Sequence, residues 1–438
     1  MYLATRIDKS VLLNAVLLFA YFLTLVWVNN SYIHQLYGYM GAAARPLDFV
    51  RIVYLFLLAT VCALLAVGRI ERPGDLLVAS FILLVVPHAL VLNGANRFSP
   101  EGDPFSGVTL AIVIGVSIIC LANKVRFYQR VDELPVEQGK EVLVLLSLLN
   151  LAVLLYILVR SADYFSLNLS THYVRRALAR EIFAAGTPGA YLASIGTQAL
   201  FPVLFAWGVY QKKNSFLALG IFNVIVVWGA FGQKYPVVLI FLIYFIMLYY
   251  RKFGVVKLSW LTSALLILIF LGVIEHEMRG YSYLNDYFLR RVYVVPSTLL
   301  GATDAFVMQF GCNNYGDTLL GAVFGQGRSD PITFRLGVEM FENSEMNANV
   351  NFIAVAFMQL KYVGVVVESL FVAGITMLLN FLHSRYSAVL AMPVALLIAT
   401  RIVEQSLLTV LLGAGGFVMV ISVVLISLPF RLGMRAAR

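Results

Sequence analysis

Charge is what this chain has least of. Of 438 residues only 13% are charged, about half the share usual in soluble domains. A soluble globular enzyme is excluded on that ground. Cysteine is also scarce. Cys62 and Cys120 sit in apolar runs and Cys312 in a polar stretch, which gives neither a disulfide framework nor metal-ligand spacing. No D-x-D or H-E-x-x-H pattern occurs, so neither a metal nor a cofactor is expected. The first apolar run, about 11–28, lacks a small-residue cleavage site after it, and it reads as an uncleaved first span.

What is present is apolar. Hydrophobic residues make up 61% of the chain, and the mean hydropathy is +0.87. Runs long enough to cross a bilayer fall near 11–28, 52–68, 76–93, 106–123, 142–159, 190–210, 215–231, 236–250, 258–275, 362–381, 387–403 and 406–428. The reading is an all-α polytopic membrane protein, one integral membrane unit of about twelve helices.

Twelve spans put both termini on one side. With the N-terminus inside, the inner segments hold seventeen basic residues, among them Arg6, Arg72, Arg126, Arg130, Arg251, Arg431, Arg435 and Arg438. The short outer segments hold five: Arg45, Arg51, Arg97, Lys234 and Arg401. The positive-inside rule therefore favours N-in, C-in. It also accounts for much of the net charge of +9 without nucleic acid. Two long outer segments remain, about 160–189 and 276–361. They carry Arg160, Arg175, Arg176 and Arg180 in the first, and Arg279, Arg290, Arg291, Arg328, Arg335 and Lys361 in the second. Cations on the outer side run against the topological trend and call for another explanation.

A spacing repeats in these two segments. Arg175 to Gly186 reads R-R-A-L-A-R-E-I-F-A-A-G, and Arg290 to Gly301 reads R-R-V-Y-V-V-P-S-T-L-L-G. Each opens on an arginine pair and places a glycine after ten intervening residues. Arg176 and Arg180 share a face if their segment is helical, whereas Pro296 should end or kink a helix near Val295. Arginine offers a planar fork of donors that suits phosphate. Two such clusters facing one outer cavity would hold a diphosphate. The plainer alternative is binding of anionic lipid headgroups, or pairing with Asp163, Glu181, Asp286 and Asp304.

These paired loops, the run N-D-Y-F-L-R-R-V-Y-V-V-P-S-T-L-L-G at 285–301, M-N-A-N-V-N-F at 346–352 and F-G-Q-K-Y-P at 231–236 resemble Wzy, the O-antigen polymerase family. The resemblance extends over the whole chain. It implies an enzyme of the bacterial inner membrane whose active site faces the periplasm. Such an enzyme moves a growing glycan from undecaprenyl diphosphate onto the newest lipid-linked repeat unit, and a chain-length regulator protein is a further expected partner. Related O-antigen ligases use outer-face arginines for the diphosphate and a loop His before an Asn as base. Here Asn351 matches that Asn, but Val350 stands where the His would be.

On this reading Arg175, Arg176, Arg180, Arg290 and Arg291 stabilise the leaving diphosphate. Gly186, Gly301, Asn347, Asn349, Asn351, Arg279 and Tyr287 contact substrate. The base is sought among Glu339, Glu342, Glu345, Asp330, Asp304 and His276, with Glu339 first, and Glu339 and Glu342 would share a helix face. His88 reads as a buried histidine bonded to a neighbouring helix, and Arg401 as the partner of Glu404. Tyr281, Tyr283, Tyr287, Tyr293 and Tyr315 are available to stack on sugars. Two other functions stay open: a ligase, which the missing His disfavours, and a flippase or transporter, which the lack of mid-span charge and of a repeat disfavours.

Overall fold

The computed structural model describes residues 9–98, 106–127, 140–184, 186–318, 321, 330–386 and 390–427. Arg6, Arg130, Arg328, Arg431, Arg435 and Arg438, all used in the reading above, lie outside these. The protein is 79% helical, and the named strands amount to one two-residue pair, β1 (Arg69–Ile70) with β2 (Val256–Lys257). It is an all-α membrane protein. Apolar chain in a bilayer has no water to satisfy its amides, so each run closes its own hydrogen bonds as a helix.

In chain order the helices are α1 (Lys9–Val28), α2 (Phe49–Leu65), α3 (Pro73–Ser80), α4 (Gly107–Asn123), α5 (Lys140–Ser161), α6 (His172–Ile182), α7 (Pro188–Ile195) and α8 (Phe201–Gln211). There follow α9 (Asn214–Phe231), α10 (Tyr235–Phe253), α11 (Leu258–Arg279), α12 (Val295–Phe310), α13 (Ile332–Phe341), α14 (Phe352–Tyr386), α15 (Ala391–Ile402) and α16 (Gly416–Ser427). Where described, the expected apolar runs fall largely on helix, the last one interrupted at residues 414–415. Among the described residues, eight helical stretches are long and apolar enough to cross a membrane, and α2, α4, α15 and α16 are shorter apolar helices. Outward faces are apolar as well: Leu57, Leu64, Leu148, Leu155, Phe245 and Ile267 are all exposed. Water would penalise such a surface and acyl chains would not.

Polar residues tie the helices together at both ends of the bundle. At one end Asp75 accepts from Arg72 Nη2 (2.9 Å) and Asn123 Nδ2 (2.8 Å), while Asn380 accepts from Gly74 N (2.8 Å) and donates to Asn123 Oδ1 (2.9 Å). At the other end Tyr37 donates to Asp286, residues 42 and 96 form a bridge, and Asp304 Oδ1 accepts from Val108 N at 3.1 Å. Between them Asn150 and Asn223 exchange side-chain hydrogen bonds, fully buried. A buried amide pair is favourable only when both partners are satisfied, as here.

Much of the long segment 276–361 packs into the bundle. α12 is buried from Ser297 to Asp304, and Gly301 lies so close to Asn96 that a β-carbon there would meet its side chain. Its small residues, rather than its hydropathy, allow this approach. The chain then turns back. Residues 352–360 run against α4, with Ile353 beside Gly115 and Phe357 beside Gly107. The direction reverses at Leu360 (φ −141°) and Lys361 (φ 47°). The rest of α14 descends past the same helix, with Tyr362 near Gly107 and Ser369 near Gly115. Nine residues, eight of them apolar, are too few to span a bilayer, so hydropathy alone does not separate this re-entrant arm from a loop.

Pro296 does not break its helix. Asn285–Val294 is π-helical, and Val295 N bonds Arg290 O, after which Pro296 sits in the first turn of α12. The wider register places the ring where no amide is needed.

Candidate functional site

α6 is amphipathic and lies at the end of the bundle marked by Asp286 and Asp304. Ala179 and Phe183 pack on Val153, Leu154 and Ile157 of α5, Ala193 of α7, and Val226 and Ala230 of α9. Two features hold the helix there. Gly232, at φ +60°, ends α9, and a β-carbon on it would meet His172 O at 2.5 Å. Trp228 Nε1 donates to Leu167 O at 3.0 Å.

With that face buried, Arg176 and Arg180, four residues apart, point together into a cavity of about 220 Å³. The shared face expected from their spacing is present. Ser194, Thr197 and Gln198 line it from α7 and the π turn Gly196–Leu200, and Phe231 and Gln233 close it from the corner after α9. Two guanidinium groups beside hydroxyl and amide groups suit an anionic group such as a phosphate.

Arg175 is not in the cavity. It is 1% exposed, its Nη1 donates to Asn168 O (2.7 Å) and Thr171 Oγ1 (2.6 Å), and its Cζ lies 5.3 Å from the Trp228 ring centre. Burial lowers its pKa from the ordinary arginine value. Its position on the helix, one residue before Arg176, turns it inward.

The second arginine segment is built differently. Arg290 is buried: its Nε donates to Asp286 Oδ1 (2.7 Å), which also accepts the Tyr37 hydroxyl (2.6 Å), and its Cζ lies 4.7 Å from the Tyr37 ring centre. Burial alone would raise the Asp286 carboxyl, but these bonds from Tyr37 and Arg290 hold it below the ordinary range. Arg291 is exposed. Tyr283 and Tyr287 stack at 6.3 Å with planes 10° apart, and Lys234 Nζ lies 5.9 Å from the Tyr287 ring centre. The corner 231–235 therefore touches both segments: Phe231 and Gln233 line the α6 cavity, and Lys234 meets Tyr287. The repeated spacing corresponds to unlike structures. Gly186 is an exposed turn residue at φ +83°, whereas Gly301 is a packing position inside α12.

The carboxylates lie elsewhere. Glu339 is exposed on α13, and Glu342 stands just past its end at φ 53°, so the two do not share a helix face. The reason is local, because the helix stops at Phe341. Asn347 and Asn349 are exposed, while Asn351 is buried and caps the re-entrant arm by accepting Ala354 N (3.0 Å). Arg279 pairs with Glu275 at 3.5 Å. Asp304 caps α4, and His276 packs edge-on against Tyr32. His88 is buried and bonded to Val292 O, as its setting suggested. Arg401 stacks on Tyr235 (4.1 Å) and forms no ion pair with Glu404 among the described residues, since the aromatic face lies nearer.

Sequence reasoning missed Thr197, Gln198 and Gln233 as cavity residues. Only Gln233 had a signal, its place in F-G-Q-K-Y-P. It also missed the clamp on the re-entrant arm. Gln359 donates to Asp317 Oδ1 (2.8 Å) and accepts from Tyr315 N (2.8 Å), while Tyr315 donates to Glu368 Oε1 (2.7 Å). Comparison with protein-family models gives no match, and neither do comparisons with curated proteins and with solved structures.

Proposed function

We propose that this chain is a Wzy-type membrane glycosyltransferase that extends a glycan carried on undecaprenyl diphosphate. The observation that supports it best is the α6 cavity, where Arg176 and Arg180 converge with Gln198 and Gln233 at one end of the bundle. The resemblance in 175–186, 231–236, 285–301 and 346–352 supports it independently. In this reading the chain crosses the bacterial inner membrane about twelve times, N-in and C-in, and α6 and the 285–294 segment face the periplasm.

The acceptor hydroxyl oxygen attacks the anomeric carbon of the donor glycan. The bond from that carbon to the diphosphate oxygen breaks, and its electron pair leaves with the lipid diphosphate. The hydroxyl proton passes to a base or to water. Negative charge grows on the bridging oxygen, so fixed guanidinium donors lower the barrier more than they tighten ground-state binding. In this reading Arg176 and Arg180 do this work. Tyr283, Tyr287 and Lys234 present an exposed aromatic and cationic edge suited to sugar rings.

The test is the purified protein in detergent with a lipid-diphosphate oligosaccharide. A ladder of longer glycans without other proteins supports polymerisation. Transfer to a lipid A core without a ladder means a ligase, and translocation in vesicles without new bonds means a transporter. The topology is tested separately in a variant lacking the three native cysteines. A Cys at Ser166 should react with an impermeant reagent from outside, and reaction from the cytoplasm alone would overturn the orientation.

A further inference from the structure

Arg45 and Arg51 take no part in the site above, yet their side chains meet on one turn. Asn30 fixes the backbone of residue 45 from both sides, donating to Arg45 O (2.6 Å) and accepting from Arg45 N (2.9 Å). The Arg45 guanidinium then lies flat on Gly94, where a β-carbon would stand 2.7 Å from Cζ. Arg51, in the first turn of α2, reaches the same turn, its Nη2 donating to Val91 O at 2.7 Å and Asn93 O at 3.5 Å.

Two guanidinium groups are thus brought to one turn, with Asp48 the described acidic group whose charge acts on Arg51. Neither forms an ion pair among the described residues. The Arg45 side chain makes no hydrogen bond among them, and Arg51 Nε is buried without a partner. Asp48 is the acid nearest in sequence, and its Oδ1 is occupied by Arg51 N (2.7 Å) as the cap of α2. Capping the carbonyls of residues 91 and 93 explains one nitrogen of Arg51 and nothing of Arg45. Like charges held this close with donors unused are an anion site in waiting.

The surroundings name the kind of anion. Below the pair, α2 presents Val50, Val53, Leu57, Val61 and Leu64 as one exposed stripe, at the three- and four-residue steps of a helix face. An acyl chain on that stripe would bring its headgroup to the N-terminal end of α2, where Arg51 stands. We propose that Arg45 and Arg51 bind the phosphate of an anionic membrane lipid whose acyl chains lie along α2. The inference does not depend on the glycosyltransferase reading, because it uses neither the α6 cavity nor its substrate.

Native mass spectrometry of the detergent-solubilised full chain tests it, with phosphatidylglycerol, phosphatidylcholine and inorganic phosphate as probes. Phosphatidylglycerol should be retained over phosphatidylcholine. Arg45→Gln should weaken it about tenfold, the loss of one charge-assisted contact, and Arg45→Gln with Arg51→Gln should weaken it further. Arg45→Gln breaks no hydrogen bond in the protein, so folding of that variant is not at risk, and its melting curve is the check. Equal retention of the two lipids, or unchanged retention in both variants, would overturn the proposal. Full displacement by excess inorganic phosphate would overturn it too, by making the site one for a free anion.

Discussion

Arg175 and Arg176 are adjacent in the chain and face opposite ways, the first packed 5.3 Å from the centre of the Trp228 ring and the second lining the cavity. A substitution at each should therefore be read out differently. Arg175→Lys loses the planar guanidinium that stacks on the indole and whose Nη1 donates to both Asn168 O and Thr171 Oγ1. It should cost on the order of 2 kcal/mol of stability, visible as a lower melting temperature. Arg176→Gln should leave melting unchanged and reduce glycan transfer by tenfold or more, on the order of one charge-assisted contact. Arg251→Lys is the silent control. Unchanged melting for Arg175→Lys would mean that the buried pairing contributes little.

The Asp286 carboxylate should make stability depend on acid. Its pKa in the folded protein lies below the ordinary 3.8 because Tyr37 and Arg290 donate to the charged form. A depressed carboxylate stabilises the fold fully above its unfolded value and loses that contribution as pH falls through the folded value. Asp286→Asn should then melt lower than wild type near neutrality, by about 1–3 kcal/mol. The difference should narrow below about pH 4. Melting curves of both proteins across that range decide it, and a gap independent of pH would rule out the titration.

Much of this fold can be read from the sequence because each apolar run must become a helix wherever it crosses lipid. The cavity can be read in part. The four-residue step from Arg176 to Arg180 places both on one face, but the inward turn of Arg175 depends on Trp228, far along the chain. Gln198 carries no local signal, since its direction is set by the π turn Gly196–Leu200. The arm at 352–360 resembles loop by length, and its packing on Gly107 and Gly115 together with the Gln359 and Asp317 bond holds it inside.

Those bonds give a third expectation. Gln359 is buried, and Gln359→Leu would leave the Tyr315 amide without its acceptor and remove one donor from Asp317. Each lost bond to a buried group costs about 1–3 kcal/mol. Hydrogen exchange at residues 311–318 should speed up, while the amides of α9 should exchange as before. Acceleration in both places would indicate general destabilisation instead of release of the arm.

The base is the last question, and Glu339 remains the first residue to test. It lies on α13, just before the stretch 346–352 that resembles the ligase motif, in which Val350 takes the place of the His. In the structure Glu339, Glu342 and Glu345 are all exposed. To act as the base, one of these would need bound substrate to exclude water from it. Replacing the right one by Gln should abolish chain growth, a loss of about 10²–10⁴-fold. Binding of the lipid-linked substrate should persist if, as proposed, Arg176 and Arg180 take the diphosphate. Affinity and single-turnover rate must be measured separately on purified protein, since a change in binding alone would mimic the effect in a cellular assay. If Glu339→Gln, Glu342→Gln and Glu345→Gln each turn over at the wild-type rate, no carboxylate on this segment is the base. The acceptor proton would then pass directly to water, and the arginines would have to carry the catalysis by stabilising the departing diphosphate.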